Sequence, residues 1–214
     1  MPTARWPTVV FDLDGTLVDS IGLIVQSYRH AFRTVLGRAP HEARILHWIG
    51  QPLLRCFREA SPEHAQQLFD AYTAWNVANT ERLLRPYAGV EGLLRDLRCA
   101  GVRVGAATSK RRDPAAWALR LCGLDPLVEV LVSLEDTDRH KPDPAPLLLA
   151  VDRLGGLPPT AVYVGDAAVD LQAAAAAGMV GIGVTWGAGQ RDELRALAPL
   201  VVGDVAALGR ALMT

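Results

Sequence analysis

Six short apolar, β-rich runs recur along the chain, at Thr8 to Phe11, Val102 to Ala107, Val128 to Val132, Ala161 to Val164, Val180 to Val184 and Leu200 to Val202. Both faces of each run are apolar, which is the pattern of parallel strands buried on two sides. Helical patterns lie between them, at Val90 to Ala100, Asp113 to Cys122, Pro144 to Leu154 and Asp170 to Ala177. A glycine closes each one, at positions 101, 123, 155 and 178. Such alternation predicts an α/β fold with a doubly wound, mostly parallel, Rossmann-like sheet. Ligand-handling residues then belong just beyond the carboxyl ends of the strands.

The stretch from Ser20 to Leu84 breaks the alternation. It reads as helical, with candidates at Ile21 to Leu36, Glu42 to Ile49 and Glu63 to Leu84. We expect an α/β core from residues 1–19 and 86–214, interrupted by an α-helical insertion over 20–85. The chain returns through Arg85-Pro86-Tyr87-Ala88-Gly89, a hinge candidate. With 214 residues, half of them hydrophobic, one substantial core and a smaller lobe are within reach.

Lys and Arg total 22 against 23 Asp and Glu. No global imbalance points to nucleic acid or to a membrane surface, so any anion recognition is local. Cys56, Cys99 and Cys122 form no CxxC pair, and the N-terminus lacks the apolar core of a signal peptide. We therefore expect reduced thiols and a cytoplasmic protein.

Four segments can carry chemistry. Asp12-Leu13-Asp14-Gly15-Thr16 ends the first strand, where residues i and i+2 share a face, so Asp12 and Asp14 project together. Gly15 lets the chain turn and brings N–H groups toward whatever the aspartates hold. The plainer reading is a turn at Asp14-Gly15 with Asp12 as a helix cap. Ala106-Ala107-Thr108-Ser109-Lys110 follows the second strand, and its hydroxyls suit phosphate oxygens; for Ser109 a helix cap is an equal reading. His140-Lys141-Pro142-Asp143-Pro144 presents Lys141 from a stiff backbone. Val164-Gly165-Asp166-Ala167-Ala168-Val169-Asp170 again runs strand, glycine, acid, with Asp170 one turn after Asp166 or Asp166 as a cap.

Gathered at one sheet edge, like carboxylates about 4 Å apart repel by roughly 4 kcal/mol per pair at an effective dielectric near 20. Such a cluster takes up a cation or protonates. All-oxygen ligands beside a phosphate favour Mg²⁺. Lys141 then supplies a second positive charge.

FDLDGTLVDS, AATSK, HKPDPAPLLLA and YVGDAAVDLQAAAAAG, in this order, resemble the haloacid dehalogenase (HAD) superfamily of aspartate-nucleophile phosphatases, across nearly the whole chain. The resemblance implies that Asp12 attacks phosphorus and that Asp14 protonates the leaving group and then activates water. It implies that Thr108 and Lys141 hold the phosphoryl oxygens, with Gly15, Thr16 and Ser109 beside them. Mg²⁺ falls to Asp12, Asp166 and the backbone carbonyl of Asp14, with Asp170 in support. The insertion is similar to the family's mobile cap. An acid at position 14 resembles the phosphatases and not the dehalogenases. Ala167 departs from the more usual serine.

DGT followed by LVDS looks like the phosphoglycolate phosphatase and HAD-type pyrophosphatase branch. TSKRRDPAAWALRLCGLDPLVEVLVSLEDT, WIGQPL and AYTAWN look closer to the pyrophosphatases. The expected partner is a small, doubly anionic phosphate, with Arg55 and Arg58 as candidates to grip it. The alternatives are a nucleotide or sugar phosphatase, a phosphotransferase similar to β-phosphoglucomutase, and a binding protein that keeps the fold without turnover. A homodimer is left open.

Overall fold

The computed structural model describes residues 4–213; the outermost positions of the expected core, 1–3 and 214, lie outside it. A six-stranded parallel sheet is built from β1 (Thr8–Phe11), β4 (Arg103–Ala107), β5 (Val130–Val132), β6 (Ala161–Gly165), β7 (Val180–Val184) and β8 (Leu200–Val202). Its order is β5-β4-β1-β6-β7-β8, so the winding reverses at β1. Phe11 lies level with Ala106 on one side and Val164 on the other, which brings three strand ends to one edge.

The apolar runs of the inner strands β1, β4, β6 and β7 are largely buried on both faces, as their composition requires, while the edge strands β5 and β8 are only partly covered. Val9 and Phe11 join one core with Leu93, Leu94, Leu97 and Leu119, from α5 (Val90–Cys99) and α6 (Arg112–Leu121). α10 (Val205–Leu212) closes that face with Leu208 and Leu212. Val10, pointing the other way, joins Leu147, Val151, Ala173 and Ala174 from α7 (Ala145–Arg153) and α8 (Ala168–Ala176). α9 (Arg191–Leu197) lies against the far strands β7 and β8. The sheet is doubly wound, as the alternation predicts.

A two-residue pairing of β2 (Val18–Asp19) with β3 (Arg85–Pro86) ties the outgoing and returning chains together. Between them run α1 (Ile21–Leu36), α2 (Glu42–Trp48), α3 (Leu53–Ala60) and α4 (Ala65–Leu83). α3, α9 and α10 are not among the expected helices. Each has eight residues or fewer, too few for a periodic pattern to stand out. The four helices share a separate core in which the Tyr28 ring lies 5.3 Å from Trp48, 5.3 Å from Phe57 and 5.0 Å from Tyr72. Asn76 donates to Ser27 at 3.0 Å, a buried tie between α4 and α1. Among the described residues no helix is long and apolar enough to cross a membrane, and all three cysteines are free thiols.

Candidate active site

All four motif segments reach the carboxyl edge of the sheet around β1. Asp12 ends β1; its N–H continues the ladder to the Val164 carbonyl at 2.8 Å, so the backbone is fixed before the side chain leaves the strand. Lys141, from the loop before α7, is 1% exposed, and its ammonium is the hub of the site. It donates to Asp12 Oδ1 at 2.8 Å, to Asp170 Oδ1 at 2.6 Å and to the Tyr163 hydroxyl at 3.1 Å. The Tyr163 O–H donates in turn to the Ala107 carbonyl at 2.8 Å.

Asp166 sits at the tip of β6 and is fully buried. Thr16 Oγ1 donates to its Oδ1 at 3.0 Å and the Ala188 N–H to its Oδ2 at 2.7 Å. Glycine is required around it: a Cβ at Gly15, whose φ is 82°, or at Gly187 would run into the Asp166 carboxylate. The chain thus wraps the acid closely in backbone.

Asp12, Asp166 and Asp170 offer carboxylate oxygens that all lie within 4.8 Å of one another. Three acids meet one ammonium, and the excess charge registers on the acids. Burial pushes the Asp12 carboxyl up to about 7 against the pull of Lys141, with Asp170 adding to the rise. Asp166 is held well above the usual carboxylate range by burial, then by Asp170 and Asp12. Burial opposes the charge on Lys141, but Asp12 and Asp170 outweigh it and hold the ammonium well above its ordinary value. A cluster of hard oxygen donors with uncompensated negative charge fits a divalent cation.

Asp14 stands outside this cluster. Both its oxygens accept from Lys110 Nζ, at 3.0 and 2.9 Å, and it lines the same cavity as Asp12. The two acids of the first motif therefore share the cavity but have different partners: Lys141 for one, Lys110 for the other. Thr108 is buried and lines the cavity; its Oγ1 accepts from the Lys110 N–H at 3.2 Å, which leaves its own O–H free to donate.

Several expected placements are corrected. The Gly15 N–H donates to the Val18 carbonyl at 3.0 Å, closing its own turn, and is not directed at a ligand. Thr16 spends its hydroxyl on Asp166 and not in the cavity. Ser109 is not a helix cap, because α6 begins after Arg111; its hydroxyl donates to the Gly50 carbonyl at 2.7 Å, bridging sheet and helical insertion. Asp166 does not cap α8. Asp170 does so, accepting the Ala167 N–H at 3.0 Å while holding Lys141. Arg55 and Arg58 are exposed and absent from the cavity lining, since α3 turns Cys56 and Phe57 inward and its arginines out.

Three participants carry no expected role: Lys110, Tyr163 and the loop Thr185-Trp186-Gly187-Ala188. In that loop Trp186 Nε1 also donates to the Thr16 carbonyl at 3.2 Å. The signal for Lys110 was its place directly after Thr108-Ser109. For the loop it was glycine-rich sequence at a strand end, the position where the other motifs sit.

The haloacid dehalogenase-like hydrolase family matches residues 9–184. The chain is 36% identical over 179 residues to Pyrophosphatase PpaX of Bacillus pumilus, covering 84% of this chain and 83% of that one. A hydrolase from Pseudomonas syringae superposes with a TM-score of 0.87 at 27% identity, over 96% of this chain and 97% of the other. Protein Tyrosine Kinase A of Mycobacterium tuberculosis matches with a TM-score of 0.80 at 33% identity, over 97% and 98%. The chain belongs to the haloacid dehalogenase-like hydrolases, and within that superfamily it is an enzyme of the phosphatase class.

Proposed function

We propose that the chain is a Mg²⁺-dependent phosphohydrolase of small phosphate substrates that works through an aspartyl-phosphate on Asp12. The observation that supports it is the buried cluster at the end of β1: Asp12 on Lys141 at 2.8 Å, within 4.8 Å of Asp166 and Asp170. Asp12 and Asp166, with the backbone carbonyl of Asp14, would hold Mg²⁺. When bound, the ion supplies positive charge for the phosphoryl oxygens.

The chain's own residues carry the steps. An Asp12 oxygen attacks phosphorus, the bond from phosphorus to the leaving oxygen breaks, and Asp14 gives that oxygen its proton. Asp14 then takes a proton from water; the water oxygen attacks phosphorus, the bond to Asp12 breaks and inorganic phosphate leaves. Lys141 neutralises the transferring group, and the free Thr108 O–H orients one of its oxygens. Lys110, in the lining of the same cavity, steadies Asp14. The helical insertion acts as a cap over the reaction, and the free thiols support a cytoplasmic setting.

The test is hydrolysis of a generic phosphate ester with and without Mg²⁺. Removal of the metal with EDTA abolishes turnover, and Asp12→Asn lowers kcat by about 10⁴-fold or more, as loss of a nucleophile does. Full activity in EDTA, or in Asp12→Asn, would overturn the mechanism. The name of the Bacillus relative supports pyrophosphate as one arm of the substrate panel, with phosphoglycolate as another. The kinase name of the Mycobacterium relative favours a second reading, transfer to a hydroxyl instead of water. Inorganic phosphate released in equal amount to the free alcohol excludes it.

A further inference from the structure

Between the sheet edge and the helical insertion lies a cavity of about 360 Å³, at the lower end of the range of pockets that take a whole organic ligand. Asp12, Asp14 and Thr108 form its floor. The insertion forms its wall, and no residue it contributes to the lining is Asp, Glu, Lys, Arg or His. Trp48, Leu53, Leu54, Phe69, Tyr72 and Val77 make up much of it. Burial raises the Tyr72 hydroxyl far above its usual value, so it stays neutral.

The cations on the sheet side are engaged. Lys110 is held by both oxygens of Asp14, and Arg111, at the cavity's solvent-exposed side, pairs with Glu135 at 3.0 Å. A second phosphate or a carboxylate on the substrate would find no counter-charge on the insertion's side of this space, where the apolar surroundings disfavour it. Two of the wall's amide groups are already engaged: the Gln51 amide donates to the His47 carbonyl and the Asn76 amide to Ser27. A sugar, whose hydroxyls each need a partner, would meet mostly apolar side chains there.

We propose that the preferred substrate is a phosphate monoester whose leaving alcohol is uncharged and largely apolar, seated against the Trp48, Phe69 and Tyr72 side of the cavity. The proposal rests on the phosphohydrolase reading above and sharpens it. It departs from the small, doubly anionic substrate that the resemblance implies, and the two arginines named as candidates to grip such a substrate face solvent.

The experiment compares primary alkyl phosphates of increasing size, ethyl, butyl and 2-phenylethyl, whose alcohols leave with similar ease, so that differences report binding and not chemistry. Pyrophosphate, phosphoglycolate and glucose 6-phosphate are run at equal concentration. We expect kcat/KM to rise about tenfold or more from ethyl to 2-phenylethyl phosphate, the factor that burying an aromatic ring supplies. We also expect 2-phenylethyl phosphate to outrank the three polar substrates.

In Phe69→Ala the advantage of 2-phenylethyl over ethyl phosphate shrinks severalfold, while turnover of ethyl phosphate reports that the variant is folded. Val77→Arg, at a position 51% exposed, shifts the ranking toward pyrophosphate by adding the missing cation. A wild-type preference for pyrophosphate or phosphoglycolate, or a flat alkyl series, overturns the leaving-group assignment alone. Failure to hydrolyse any phosphate in the panel overturns the phosphohydrolase reading beneath it.

Discussion

At the edge of the sheet, Asp12, Asp166, Asp170 and Lys141 are all buried and their charges do not balance. Across the cavity, the helical insertion packs Tyr28, Phe32, Trp48, Phe57 and Tyr72 and brings no charge to the lining. The first region demands exact positions, because a buried charge that loses its partner is costly, and parallel strand ends supply such positions. The second tolerates rearrangement, since an apolar wall needs only volume and shape. On the mechanism proposed above, phosphoryl chemistry and leaving-group selection are thus built from materials that can change independently.

The largest effect on stability separates the two. Lys141→Ala leaves Asp12 and Asp170 without a counter-charge, and a broken buried ion pair destabilises by about 3–5 kcal/mol. Urea denaturation measures it. Mg²⁺ should then raise the melting temperature of the variant more than that of the wild type, because the ion restores positive charge to the cluster. A loss under about 1 kcal/mol would mean that Lys141 is dispensable to the floor.

Phe57→Ala probes the wall's own core. Phe57 is fully buried against Tyr28 and Tyr72 but does not line the cavity, and such truncations cost about 3–5 kcal/mol. Mg²⁺ affinity, read by isothermal titration, should stay within about twofold of wild type, since no acid of the cluster belongs to the insertion. If affinity falls with stability, the two regions are not separable.

A smaller effect lies away from both, in acid. Asp136 accepts from the Ser133 N–H and Oγ at 2.8 and 2.7 Å and from Arg153 and Arg112, and these bonds outweigh burial to hold its carboxyl well below the usual range. A group with a depressed folded-state pKa stabilises above its unfolded value, near 3.9, and loses that contribution as pH falls through the folded value. Between pH 5 and pH 2 the wild type should therefore lose about 1–2 kcal/mol more than Asp136→Asn, a range discounted because both arginines are well exposed. Equal acid sensitivity in the two proteins would remove Asp136 from that account.

The contrast between floor and wall also explains what was legible in the sequence. Thr8 to Phe11 and Val180 to Val184 read as strands to the residue, because continuous apolar runs have one use in an alternating chain. Once those strands are parallel, topology alone carries Asp12, Thr108, Lys141 and Asp166 to one edge, although 154 positions separate Asp12 from Asp166. Arg55 failed for the opposite reason. Which face of a short helix turns inward is settled by packing against α1 and α4, and spacing from the Gly50 turn cannot reveal it. Lys110 and Tyr163 were hidden because their partners, Asp14 and the Ala107 carbonyl, are fixed by the pairing of whole elements.

Ser109 joins floor and wall through a hydroxyl, and its removal has the smallest expected effect. The bond from Ser109 Oγ to the Gly50 carbonyl is a neutral, part-buried hydrogen bond, of net worth about 1 kcal/mol. Gly50 cannot be varied to test the contact: its φ is 88°, and a Cβ there would press on Ala167 and Val169. Ser109→Ala removes the donor and leaves the turn intact. If the bond holds the insertion over the floor, the variant shifts that equilibrium by the same 1 kcal/mol, about fivefold. KM for a bulky ester then rises about fivefold with kcat within about twofold, because the groups that act on phosphorus are untouched. Ser109→Thr, which keeps the hydroxyl, should restore KM. A drop in kcat at constant KM would instead put Ser109 on the phosphoryl group, with the floor and not between floor and wall.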